Sequence, residues 1–153
     1  MIASSMSASL IECIPNISEG RRQSVIDAVA ACIPAADVAL LDVHSDADHN
    51  RSVFTLAGTP EGVEEAMMRA AAVALSAIDL EQHSGAHPRI GAVDVIPFVP
   101  LRGISLAQMA ERARAFSRRY HAAFDVPVYW YEAAAERPER TTLPSIRQGG
   151  YET

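Results

Sequence analysis

The run HSGAHPR, residues 83–89, places two of the chain's five histidines four apart, with a glycine between them and a proline and an arginine behind the second. An unperturbed imidazole titrates near neutrality, so a histidine in an ordered, non-helical loop is equipped to act as a general base. A second run, HSDADHNR (44–51), holds His44 and His49 beside two aspartates. A third, PNISEGRR (15–22), sets backbone amides at a helix start next to Arg21 and Arg22, an arrangement suited to a carboxylate ligand. Spacing alone does not separate a catalytic histidine from a structural one in the first run.

For the second run two readings compete. Imidazole and carboxylate together are metal ligands. The run stands one step from the H-x-H-x-D-H pattern of the metallo-β-lactamase superfamily, with Asp46 where the second histidine would stand. That superfamily needs a longer chain and further ligands that this sequence lacks. The competing reading is an Asp-rich turn whose carboxylates bond backbone N–H groups. No metal is expected.

These runs need elements to position them. SLIECIPN (9–16) is a short apolar run of β character stopped by Pro15. Val25, Ile26, Val29 and Ile33 then recur at helical spacing, and Pro34 ends that helix. Residues 38–45 read as a buried strand and 51–58 as an alternating one. Thr59 and Pro60 form an N-cap and first-turn proline for a helix with Val63, Met67, Ala70, Ala74 and Ile78 on one face. IGAVDVIPFVP (90–100) reads as a fourth strand, which Pro97 ends or confines to an edge. Ser105 with Gln108 make a capping box and Ile104 with Met109 a staple, opening a helix to about His121. VPVYWYEAA (126–134) reads as a fifth strand, before a polar, proline-broken tail with one short helical turn. The first six elements give an α+β, ferredoxin-like βαββαβ sandwich. An extra helix and strand extend it, the sheet is expected to be mixed, and the helices pack on one face. Whether the two histidine loops share a rim depends on where the turns fall.

At 153 residues the chain is read as a loose leader, 1–8, and a single domain, 9–153. The net charge of −6, from 13 basic and 19 acidic residues, argues against a nucleic-acid binder. The opening MIASSMSASL lacks a basic region and a long apolar run, so it does not read as a signal peptide. No segment approaches a membrane span. Cys13 and Cys32 stand in no metal-binding spacing and read as buried free thiols in a reducing, cytoplasmic compartment.

Taken in order, IECIPNISEGRR, LLDVHSDADHNRSVFTLAGTPEGV, HSGAHPRIGAVDVIPFVPLRGIS, VPVYWYEAAA and LPSIRQGGYE resemble the N-terminal subdomain of glutamate formiminotransferase, the formimidoyltransferase part of formimidoyltransferase-cyclodeaminase. The resemblance covers about residues 10–152, and several long motifs in the right order make it specific. It implies transfer of a formimino group from N-formimino-L-glutamate to tetrahydrofolate, within histidine breakdown and one-carbon metabolism. The family's catalytic histidine is that of its HPR run, which here is His87 and not His83. Asn50 and Arg51 match the family's NR pair, and Asn16, Ser18, Glu19 and Gly20 its PN-x-SEG turn. With His44, His83 and Arg89 they form the implied substrate- and folate-binding set, Arg89 being suited to a bidentate carboxylate contact.

Two residues depart from the family's pattern: His44 stands where an acidic residue is expected after LLDV, and Ala86 where a glutamate usually precedes the catalytic histidine. The family's transferase also uses a second subdomain that closes the folate groove. An enzyme half working as a homodimer, or with a separate second subdomain, is therefore the expected form. The competing reading is a non-catalytic module of the same fold that binds folate or an acidic ligand, or mediates subunit contact.

Overall fold

The computed structural model describes residues 8–151, so the expected leader lies, but for Ala8, outside the described residues. The elements are β1 (Leu10–Cys13), β2 (Asn16–Ile17), α1 (Gln23–Ala31), β3 (Val38–Asp46), β4 (Arg51–Gly58), α2 (Pro60–Ala77), β5 (Val93–Val95), β6 (Phe98–Arg102), α3 (Leu106–Phe124) and a four-residue α4 (Leu143–Ile146). β1 and β2 are one ribbon broken at Ile14 and Pro15, and β5 and β6 one ribbon broken at Ile96 and Pro97. Proline removes a ladder donor at each break. The breaks lie side by side, with the N–H of Ile14 donating to the carbonyl of Pro97 at 3.3 Å.

Counting each ribbon as one strand, the order across the sheet is β3, β4, β1/β2, β5/β6. With the βαββαβ chain order this is the expected ferredoxin-like arrangement of an α+β domain. Two details differ. Every strand pairing among the described residues is antiparallel, so the sheet is not mixed. The expected fifth strand does not form either: residues 126–131 are irregular and Glu132–Ala134 is a single 3₁₀ turn. Strand propensity measures fit to a half-buried sheet surface rather than an intrinsic preference, and Pro127 lacks a ladder donor. The segment is held by α3 instead: Trp130 Nε1 donates to Ser117 Oγ at 2.6 Å, and His121 Nδ1 lies 2.9 Å from the carbonyl of Val126.

Alternation decides the faces. Ile11, Cys13, Ile17, Phe54 and Leu56 point to the helix side and are buried. They pack with Ile26 and Val29 of α1 and with the expected α2 face of Val63, Met67, Ala70, Ala74 and the following Ile78. Along β6, Phe98 meets Phe116 of α3 edge-on at 5.1 Å, and Tyr120 and Phe124 continue that aromatic row. Burial pushes the Tyr120 hydroxyl up to about 12. Thr59 and Ser105 cap α2 and α3 as expected, the latter in a reciprocal capping box. Cys13 and Cys32 are free thiols. Cys13 is buried and its pKa well raised by desolvation, while Cys32 is only half-buried. No helix among the described residues is long and apolar enough to cross a membrane.

Candidate active site

Three connections meet at one end of the sheet: the turn 18–22 between β2 and α1, the hairpin turn 47–50 between β3 and β4, and the loop 78–92 from α2 to β5. Asn50 joins them. Its φ of 51° is a left-handed conformation that asparagine adopts more readily than most residues. Its side-chain oxygen accepts from the N–H of Gly20 and its amide donates to the carbonyl of Ser84, each at 2.9 Å. Its own carbonyl lies 2.9 Å from His83 Nε2. Ala86 N–H donates to the carbonyl of Asp48 at 3.1 Å, so the two histidine runs share one rim.

Glycine makes this approach possible twice. A Cβ on Gly20 would stand 2.2 Å from the carbonyl oxygen of Asp46, and one on Gly85 would stand 2.4 Å from that of His49. Neither fits without backbone displacement.

The remaining expected residues divide by what their polar atoms do. Ser18 is buried and its hydroxyl donates to the carbonyl of Gly91 at 2.7 Å. Glu19, 4% exposed, accepts the N–H groups of Arg21 and Arg22 and the Nε of Arg22. Burial works to raise its pKa. The backbone donors and the guanidinium outweigh it and hold the carboxyl below the ordinary range. These two side chains therefore build the rim. Asn16 and Arg51 face the other side of the sheet, with Arg51 Nη1 donating to Asn16 Oδ1 at 3.1 Å. His44 is exposed on that same side, because Val53 pairs with both His44 and Asn16 across the ladder. Arg89 donates from Nη2 to the carbonyl of His83 at 2.9 Å.

His87 is half-buried at this rim. Desolvation lowers its pKa, the charges of Arg147, Arg51 and His49 lower it further, and Asp94 alone acts to raise it. The shift favours the neutral imidazole, the form a general base needs. Two of these charged neighbours were not foreseen. Asp94 of β5 has a side chain 1% exposed, and it pairs with Arg147 Nη2 at 2.5 Å. A lone carboxylate between Val93 and Val95 in an apolar strand was the available signal, since such a group is buried only with a partner. Arg147 lies within the LPSIRQGGYE run but carried no expected role.

The carboxylate of Asp46 behaves as the Asp-rich turn predicts. Its Oδ1 accepts the N–H groups of Asp48 and His49, and its Oδ2 lies 3.0 Å from His49 Nδ1. The His49 N–H foremost, then the His49 ring, keep it below the usual carboxylate range. A cleft of about 290 Å³ opens on the rim between Glu19, Arg22, Asn50, Ile78 and His83. A larger hollow of about 540 Å³ lies at the far end of β4, where Arg112 is committed to Glu61 and Glu64; it holds no histidine.

Comparison with known proteins bears on this rim. A sequence model described as formiminotransferase domain, N-terminal subdomain, matches residues 10–153. The chain is 47% identical over 144 residues to formimidoyltransferase-cyclodeaminase of Mus musculus, covering 94% of this chain and 27% of that protein. It is 45% identical over 148 residues to glutamate formimidoyltransferase of Streptococcus pyogenes serotype M1, covering 95% of this chain and 49% of that one. The glutamate formimidoyltransferase of Thermoplasma acidophilum is 39% identical over 145 residues, with 94% and 48% covered. The chain thus spans about a quarter of the longer relatives and about half of the shorter ones. With the HPR, NR and PN-x-SEG runs gathered at one rim of the fold, the chain belongs to the family of formiminotransferase-domain N-terminal subdomains.

Proposed function

We propose that this chain supplies the histidine-bearing half of a formimidoyltransferase site, which moves the formimino group of N-formimino-L-glutamate to tetrahydrofolate in the cytoplasm. The observation that carries the reading is His87, half-buried at a rim shared by the HPR, NR and PN-x-SEG runs, where burial and the charges of Arg147 and Arg51 favour its neutral form. A neutral imidazole takes the proton from the folate nitrogen as that nitrogen attacks the formimino carbon. The imidazolium returns that proton to the glutamate nitrogen, the tetrahedral adduct's bond from the formimino carbon to that nitrogen breaks, and glutamate leaves as its free amine. Donor and acceptor both carry carboxylates, which suits Arg51 and Arg89 near the base. Asn16 and His44 flank Arg51 on the sheet side facing away from the helices, where a second subdomain would close the groove. Ser18, Glu19, Gly20, Asn50 and His83 hold the rim in shape.

The test is calorimetric titration with tetrahydrofolate and with formiminoglutamate, separately and together, followed by assay of formimino transfer. Binding of both with turnover, by the chain alone or assembled with a second subdomain, is the expected result. Binding without turnover in either form would favour the non-catalytic module. Binding of neither would overturn the catalytic reading and leave of the competing one only a role in subunit contact.

A further inference from the structure

Asp94 and Arg147 come from distant parts of the chain and meet beside the histidine loop. Asp94 uses both oxygens there. Oδ1 accepts the N–H of Ile90 at 2.7 Å, three residues after His87, and Oδ2 accepts Arg147 Nη2. Arg147 follows α4, in the tail. Four residues further on, Tyr151 donates its hydroxyl to Glu81 Oε1 at 3.0 Å, two residues before His83. The tail therefore straddles the histidine loop, tied to its first part through Tyr151 and to its last part through Arg147. A buried carboxylate bound to one backbone N–H and one guanidinium is a rigid anchor, because each bond is charge-assisted.

We propose that Asp94 and Arg147 are positioning residues for His87: the carboxylate fixes the loop at Ile90 and seats the tail's guanidinium where its charge acts on the imidazole. This rests on the reading of His87 as the base. The charged groups acting on His87 come from four places: Arg147 from the tail, Asp94 from β5, Arg51 from β4 and His49 from the hairpin turn. Arg147 is the largest charge acting against protonation and Asp94 the one acting for it. The two halves of one ion pair thus act on the base in opposite senses, as opposite charges must, and the bond from Ile90 N–H to Asp94 is what ties that pair to the histidine loop.

That opposition is testable in the full chain without ligand. The His87 imidazole signal, assigned by its loss in His87→Gln, is followed by NMR against pH in the wild type, Asp94→Asn, Arg147→Gln and Arg147→Lys. Asparagine keeps an acceptor for Ile90 N–H but removes the charge and the acceptor of Arg147 Nη2, so the His87 midpoint moves down. Arg147→Gln removes the cation, so the midpoint moves up; Arg147→Lys keeps the cation and stays on the wild-type side of Arg147→Gln. Midpoints that move the same way in Asp94→Asn and Arg147→Gln, or do not move, overturn the proposal. Should one of these two variants fail to fold by circular dichroism, the sign of the other against the wild type decides. Opposite shifts in a protein that transfers no formimino group would leave the positioning intact and refute the catalytic reading instead.

Discussion

His83 Nε2 and the main-chain carbonyl of Asn50 stand 2.9 Å apart, joining the histidine loop to the β3–β4 hairpin. A carbonyl only accepts, so Nε2 carries the proton. His83 Nδ1 is buried with no hydrogen-bond partner among the described residues. Through Nε2 the ring ties the histidine loop to the hairpin.

His83→Ala therefore leaves one buried acceptor unpaired and should cost about 1–2 kcal/mol in urea unfolding. Asn50→Ala should cost more, roughly 2–4 kcal/mol, because it strips partners from Gly20 N–H and Ser84 O and forces alanine to positive φ. Asn50→Gly relieves the backbone strain and should recover about 1 kcal/mol of that loss. Equal stabilities for the alanine and glycine variants would show that the left-handed conformation carries no cost.

Gly85→Ala tests the contact from the other side. Its Cβ would meet the His49 carbonyl oxygen at 2.4 Å and Asn50 Cβ at 2.7 Å, so the loop must lift from the hairpin. Such overpacking costs roughly 1–3 kcal/mol. The melting temperature should fall by several degrees and formimino transfer should fall with it. An unchanged melt would mean that the loop moves freely over the hairpin.

Most of this arrangement was legible in the sequence because it rests on local patterning. Alternation located β4, Thr59-Pro60 and Ser105-Gln108 marked two helix starts, and Pro15 and Pro97 marked the strand interruptions. The meeting of the two histidine loops was not legible, since it depends on Asn50 turning left-handed and on two glycines allowing backbone to touch backbone. The aromatic run 126–131 misled because β propensity does not say whether a sheet edge is free to receive it. Asp94 and Arg147 lie 53 residues apart, and their pairing has no local signature at all.

Glu19 gives a pH dependence with a defined sign. Its folded pKa is depressed, so it contributes stability that is present above its unfolded pKa, near 4.3, and lost as pH falls through the folded value. Glu19→Gln removes this contribution. Urea unfolding from pH 7 down to pH 3 should show a shallower loss in the variant than in the wild type. Parallel curves would mean that the carboxylate gains nothing from the start of α1.

The sheet side away from the helices predicts association. Val53, Thr55 and Ala57 of β4 keep partial exposure there, as does Val99 of β6, which Glu12 joins to Ala57 across the ladder. Monomers rarely leave such surface in water. Sedimentation at ~50 µM should show a homodimer or larger species, or a complex where a second subdomain is supplied. A clean monomer that also ignores the second subdomain would remove the assembly from the proposal.

His87 carries the last expectation. His87→Ala should lower the rate of formimino transfer by roughly 10²–10⁴, the usual worth of a general base. His83→Ala should lower it much less, because its loss acts only through the shape of the rim. The pH profile separates the two roles. Burial, with Arg147 the strongest of the charges against protonation, puts the His87 midpoint below the ordinary value of about 6.5. A base works when unprotonated, so the rate should be level through neutrality and fall only as pH drops through that lowered midpoint. Ala86 acts in the same sense, since a carboxylate there would favour the imidazolium. His83→Ala should keep this acid limb in place and reduce its height, whereas His87→Ala should abolish it. If the limb vanished in His83→Ala and survived in His87→Ala, the base would be the first histidine of the run and not the second.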